Sequence, residues 1–291
     1  TINGVSVGKG ANSVAGNTAF GELALDASVS GANNTAIGKN ALTVLTSGQQ
    51  CTAVGQAAGA SHTTGANLTA VGHNAGGANT SGENTTAIGQ NALLLNTTGG
   101  QNTAVGSTTL DANTTASNNT GVGFAALGTN TTGTQNAAVG AFALFANTTA
   151  NNNTGLGYNS LAQNTTGGEN TAVGGFALDA NNTGANNTAV GVNALGANTT
   201  ASNNTAMGLS ALLLNTTGTN NVAVGAFAVD ANTTASNITG VGMNALSGNT
   251  TGESNNAFGS HALQTNTTGT RNNAFGVSAL QLNTTGNDNC A

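Results

Sequence analysis

A large apolar residue stands directly before a glycine at Phe20-Gly21, Ile37-Gly38 and Val54-Gly55, and the pair returns as far as Phe275-Gly276. The glycines fall at 21, 38, 55, 72, 89, 106, 123, 140, 157, 174, 191, 208, 225, 242, 259 and 276, every interval being 17 residues. Sixteen copies without insertion or deletion leave no room for a linker or a long loop. Counted from this coil glycine, the consensus is Gly-x-x-Ala-Leu-x-x-Asn-Thr-Thr-Gly-x-x-Asn-Thr-Ala-Val. Position +4 is Leu in thirteen copies and Val229 in another, with Gly59 and Gly76 as exceptions. Position +3 is Ala except at Thr109 and Ser160, and +7 is Asn in thirteen copies.

Two glycines per unit exclude a helix, and a helical pair needs about 30 or more residues per repeat. Short β-branched runs between Gly and Asn corners fit one turn of a β-solenoid. The expected fold is all-β, a parallel β-roll of sixteen 17-residue coils. Each coil is read as two short strands, one over Asn-Thr-Ala-Val and one around Ala-Leu. Residues 1–16 form an atypical N-terminal coil or cap, 17–288 the regular array, and 289–291 the start of a truncated further coil. The Val-type and Leu-type side chains are expected to stack into a thin core, with Asn and Thr ladders along the axis. So thin a core implies partner chains, most simply a trimer.

Composition narrows the function. Charged residues are 4% of the chain, and Lys9, Lys39 and Arg271 are its three cations, which leaves no footprint for nucleic acid. A net charge of −6 over this length makes no strong field. The longest apolar stretches, such as residues 141–146, fall well short of the roughly 18–20 residues of a membrane span. The chain opens on Thr1 without Met or a visible signal peptide, as a processed product or a piece of something longer would.

The unit Asn-Thr-Ala-Val-Gly-x-x-Ala resembles the coil signature of the left-handed β-roll in trimeric autotransporter adhesin heads. Val5-Ser6-Val7-Gly8 and Asn12-Ser13-Val14-Ala15-Gly16 come near that family's Ser-Val-Ala-Ile-Gly form. Those coils are shorter; here Asn-Thr-Thr-Gly fills the extra length. The whole array also resembles repeats of bacteriophage tail-fibre-like proteins, in which a start like Thr1-Ile2-Asn3-Gly4-Val5 precedes the repeats. The resemblance implies a trimeric fibre on a cell surface or virion tail, without catalytic activity or cofactor, that attaches to carbohydrate or another receptor. A self-assembling extracellular filament and an ice-binding solenoid are the alternatives.

Individual residues add candidates. Asn79, Asn96, Asn113, Asn130, Asn147, Asn164, Asn198, Asn215, Asn232, Asn249, Asn266 and Asn283 fit either glycosylation acceptors or an Asn ladder. Thr at +8 and +9 raises ice binding, although no two-column Thr plane is evident there. Asp26, Asp111, Asp179 and Asp230 share +5 but stand several coils apart, too far for a paired-carboxylate site or a shared metal. His62 and His73 read as surface substitutions, and no His pair has metal spacing. Cys51 and Cys290 lie too far apart in the array for one chain to bridge, leaving free thiols or an intersubunit disulfide. Phe142, Phe176 and Phe227, all at +2, are expected to pack on a neighbouring subunit.

Overall fold

The computed structural model describes Ile2 and residues 5–291, except for the side chain at position 6. The chain divides into two compact units, Thr1–Thr149 and Ala150–Ala291. Each is a parallel β-solenoid with 17 residues per coil, and no helix occurs among the described residues.

The first unit holds β1 (Ser6–Gly8), β2 (Thr18–Gly21), β3 (Thr35–Ile37), β4 (Thr52–Val54), β5 (Leu68–Val71), β6 (Thr85–Ile88), β7 (Thr103–Val105), β8 (Thr120–Val122) and β9 (Ala137–Val139). From β2 to β9 each strand pairs in parallel with the next, always one coil out of step, so that Thr52 faces Thr69 and Ala53 faces Ala70. β1 runs antiparallel on the free edge of β2, with Val7 opposite Phe20. The second unit repeats the parallel scheme in β10 (Thr154–Leu156), β11 (Thr171–Val173), β12 (Thr188–Val190), β13 (Thr205–Met207), β14 (Val222–Val224), β15 (Thr239–Val241), β16 (Asn256–Phe258) and β17 (Asn273–Phe275). Cys290 continues the register as an isolated parallel bridge to Asn273.

Each coil has one strand where the sequence suggested two. The Ala-Leu segment is a run of turns, because the +4 residue sits in the left-handed region: Leu93 at φ 54° and Leu195 at φ 52°. A strand cannot pass through that conformation. The segment still bonds from coil to coil, Leu93 N–H to Thr109 O at 2.9 Å and Leu195 N–H to Ala211 O at 3.0 Å. The coil glycine is needed for a related reason. Gly174 has φ 131°, and a Cβ built there would meet the Gly191 carbonyl oxygen at 2.6 Å.

The core also differs from the expectation. The Val-type residue points outward, and the Ala before it points in: Ala104 and Ala189 are fully buried, while Leu156 is 45% and Met207 44% exposed. The interior of a one-strand coil is too narrow for more than a methyl opposite the Ala-Leu corner. Where Thr109 replaces Ala at +3, the facing strand residue shrinks to Gly121, whose Cβ would lie 2.6 Å from Thr109 Cγ2. A second strand glycine, Gly240, faces the β-branch of Val229 at +4, where a Cβ would lie 2.5 Å from Val229 Cγ2. Conversely, the space left by Gly59 and Gly76 is filled by the buried side chain of Leu68. The core is therefore Ala and Leu, completed by polar side chains.

Candidate functional site

Two columns of asparagine run inside each unit. The first is the +7 column: Asn79, Asn96, Asn113, Asn130 and Asn147 in the first unit, and Asn164, Asn181, Asn198, Asn215, Asn232, Asn249, Asn266 and Asn283 in the second. All are fully buried except the half-buried Asn283. A side-chain amide donates to the carbonyl three residues on, as Asn96 does to Gly99 O at 2.9 Å. It also donates to the Asn of the preceding coil: Asn113 to Asn96 Oδ1, Asn198 to Asn181 Oδ1 and Asn266 to Asn249 Oδ1, each at 2.8 Å. Both amide hydrogens are thus committed in the interior, and a glycan on Nδ2 would require the coil to open.

The second column, at +13, was not singled out from the sequence, although the Asn before Thr-Ala-Val recurs with the same period. Asn102 Oδ1 accepts the Asn119 N–H at 3.0 Å, and its amide donates to Ala116 O at 2.8 Å. Asn187 repeats this with the Asn204 N–H at 3.0 Å and Ala201 O at 2.8 Å. A third ladder lies nearer the surface, where the +8 threonines donate to the next coil, as Thr97 does to Thr114 O and Thr216 to Thr233 O, both at 3.0 Å. The hydrogens of those hydroxyls are committed to the next coil.

The regular outward surface is instead the strand face. Thr35, Thr52, Thr69, Thr86 and Thr103 stand in register, and their hydroxyls make no hydrogen bond among the described residues. Beside them run Ile37, Val54, Val71, Ile88 and Val105, flanked at the near end by Phe20, which is 55% exposed. In the second unit Leu156, Met207 and Phe258 belong to the equivalent row.

The remaining candidates are scattered. Asp111, Asp179 and Asp230 are half-buried, and burial pushes each carboxyl above its ordinary range, opposed by backbone N–H groups of the same and following residue. One oxygen of Asp230 is enclosed without a partner. His73 is exposed, but His62 is fully buried, contrary to the surface reading, because the +7 position it occupies is interior. Cys290 is exposed, whereas Cys51 is buried in the second Asn column, so a disulfide through Cys51 would require that coil to open. Phe142 has ring partners in its own unit, Phe124 at 5.2 Å and Phe145 at 5.8 Å, and Phe176 meets Tyr158 at 5.3 Å. Among the described residues no three His, Cys, Asp or Glu side chains come together to hold a metal, and no helix is long and apolar enough to cross a membrane. No protein-family model matches the chain, and no curated protein matches it in sequence.

Proposed function

We propose that this chain is the shaft of an extracellular, surface-displayed fibre built from copies of itself, most simply three, that carries an adhesive or receptor-attachment function. The observation behind this reading is the outward row beside the strand threonines. A strand that turns alanine inward and places Ile, Val, Leu, Met or Phe outward in every coil sets a continuous apolar row where only another molecule can bury it. Identical chains share the coil spacing of roughly 4.8 Å, so a second copy can match the row rung for rung. Hydrogen-bonded ladders through every coil suit a part whose work is mechanical. Light scattering on the purified chain tests the association, and paired Val105→Lys and Val190→Lys substitutions should reduce the assembly to monomers that keep their β-sheet circular dichroism.

The same face supports a second reading. Unengaged threonine hydroxyls alternating with aliphatic groups on a flat sheet form an array at roughly 4.8 Å by 6.6 Å, near the repeats of ice. One face cannot serve both ends, so a chain that stays monomeric and shows thermal hysteresis would replace the fibre reading with ice binding.

A further inference from the structure

In the second unit the turn segment is hollowed into a groove. Phe227 and Asp230 of one coil, Asn244, Ser247 and Gly248 of the next and Gln264 of the third line a space of about 610 Å³. Three successive coils span roughly 10 Å along the axis. These six residues stand between +2 and +6, on the turns and not on the strand face. The hollow follows from what occupies +5 and +6. Where leucine takes +5, at Leu94 and Leu213, the preceding coil has a glycine there, and a Cβ on Gly77 or Gly196 would lie 3.3 Å from the leucine Cδ1. At the groove Asp230 is followed one coil on by the small pair Ser247-Gly248, and then by Gln264. Asp111 and Asp179 also precede a small +5 residue, Gly128 and Gly196, but the residues beyond are the apolar Phe145 and Leu213.

The groups around this groove are unspent. Phe227 is 40% exposed and has no aromatic partner among the described residues, whereas Phe142 and Phe176 each have one. Gln281 donates to Gln264 Oε1 at 2.8 Å, which orients that amide and leaves its Nε2 hydrogens without an acceptor among the described residues. Asn244 Nδ2 lies 3.4 Å from His261 Nε2, and Asn244 Oδ1 receives no donor among those residues. The Ser247 hydroxyl is likewise unpaired among them. Asp230 keeps one carboxyl oxygen enclosed without a partner. A half-buried carboxyl that the fold does not satisfy needs another reason to be there.

We propose that this groove binds a neutral mono- or disaccharide. A pyranose has an apolar C–H face, which suits the open Phe227 ring, and hydroxyls that both donate and accept. The groove is mixed in the same way: the Asp230 carboxyl and Asn244 Oδ1 accept, Gln264 Nε2 donates, and Ser247 does either. Its volume is ordinary for a small-molecule site. Charge selects the sugar. Asp230 repels a second carboxylate, and no Lys or Arg lines the groove to offset it. A cationic ligand, in turn, would leave the Gln264 amide hydrogens facing a charge of their own sign. The proposal rests on the attachment role in the fibre reading for the sugar's place on a target surface, but the groove is complete within one chain and needs no partner copy.

The test presents the full chain to immobilised neutral oligosaccharides ending in galactose, glucose, mannose or N-acetylhexosamine, beside sialylated and uronic-acid counterparts. At least one neutral glycan should bind saturably, with one site per chain by calorimetry. Phe227→Ala should weaken that binding by about tenfold or more. The double change Asp230→Gly with Ser247→Leu installs the arrangement of Gly196 and Leu213, so this variant should fold as the parent does and lose the sugar. Asp179→Ala, at +5 in a coil without the groove, should leave the affinity unchanged. No neutral glycan bound, undiminished affinity in the double variant, or acidic glycans held as tightly as neutral ones would overturn the proposal. Light scattering reports assembly separately: a monomer that binds sugar keeps the groove and loses the fibre, and a trimer that binds none does the reverse.

Discussion

Asn102 and Asn113 donate their side-chain amides to the same oxygen, Ala116 O, at 2.8 and 3.1 Å, although they belong to different coils. This shared carbonyl ties the two interior columns together. Asn187 and Asn198 do the same on Ala201 O, and Asn221 and Asn232 on Ala235 O. The solenoid interior is thus a braid of amides and carbonyls beside a narrow strip of Ala and Leu. It holds its register by direction as well as by burial.

Removing one strand of the braid should be costly. Asn113→Ala leaves Asn96 Oδ1 without its donor and Asn130 Nδ2 without one acceptor, both in the interior. At about 1–3 kcal/mol for each orphaned group, a loss of roughly 2–5 kcal/mol is expected in urea unfolding. A change below about 0.5 kcal/mol would mean that the ladder contributes little.

The fit between strand and corner can be tested by a mutant cycle. Gly121→Ala brings a methyl against Thr109 Cγ2 and should destabilise, by about 1–3 kcal/mol. Adding Thr109→Ala restores the pairing of most other coils and should recover much of the loss. Additive effects would show that the two positions do not sense each other.

Backbone strain offers a stabilising change. Thr108 is β-branched yet sits at φ 52°, where neighbouring coils place Asn91 and Asn74. Thr108→Asn should raise stability by about 0.5–1 kcal/mol, less whatever the Thr108 hydroxyl gains from Ser107 O. The thermal midpoint is the measurement.

Much of this was legible beforehand, and the failures share a cause. The fixed spacing of coil glycines from Gly21 to Gly276 points to a β-solenoid, because 17 residues are too few for a helical pair and two glycines per unit spoil a helix. The direction of the side chains was not legible. Ala-Val on a strand alternates either way round, and only the width of the closed coil decides that Ala172 turns in and Val173 out. The same width explains why His62 and the +7 asparagines are interior when an Asn-Thr-Thr corner looks like a surface turn. The left-handed leucines carry no signature in sequence, since leucine rarely adopts that conformation and does so here under burial.

The aspartates give a pH signature. In Asp230 burial raises the carboxyl's pKa in the folded state, so the native chain binds the proton more tightly than the unfolded chain does. The penalty for burying the charge is therefore present at neutral pH and disappears as the pH falls through the raised value toward the ordinary carboxylate range. Asp230→Asn should melt higher than the parent at pH 7, and the difference should close on acidification. A difference independent of pH would assign the effect to packing.

The central claim is that the outward apolar row is a contact between copies, and the mass of the particle in solution tests it most directly. Light scattering coupled to sedimentation velocity should find a discrete species of three times 27.8 kDa that persists on dilution. A monomer at every concentration would contradict the fibre account and leave the Thr and aliphatic face to meet water or ice alone.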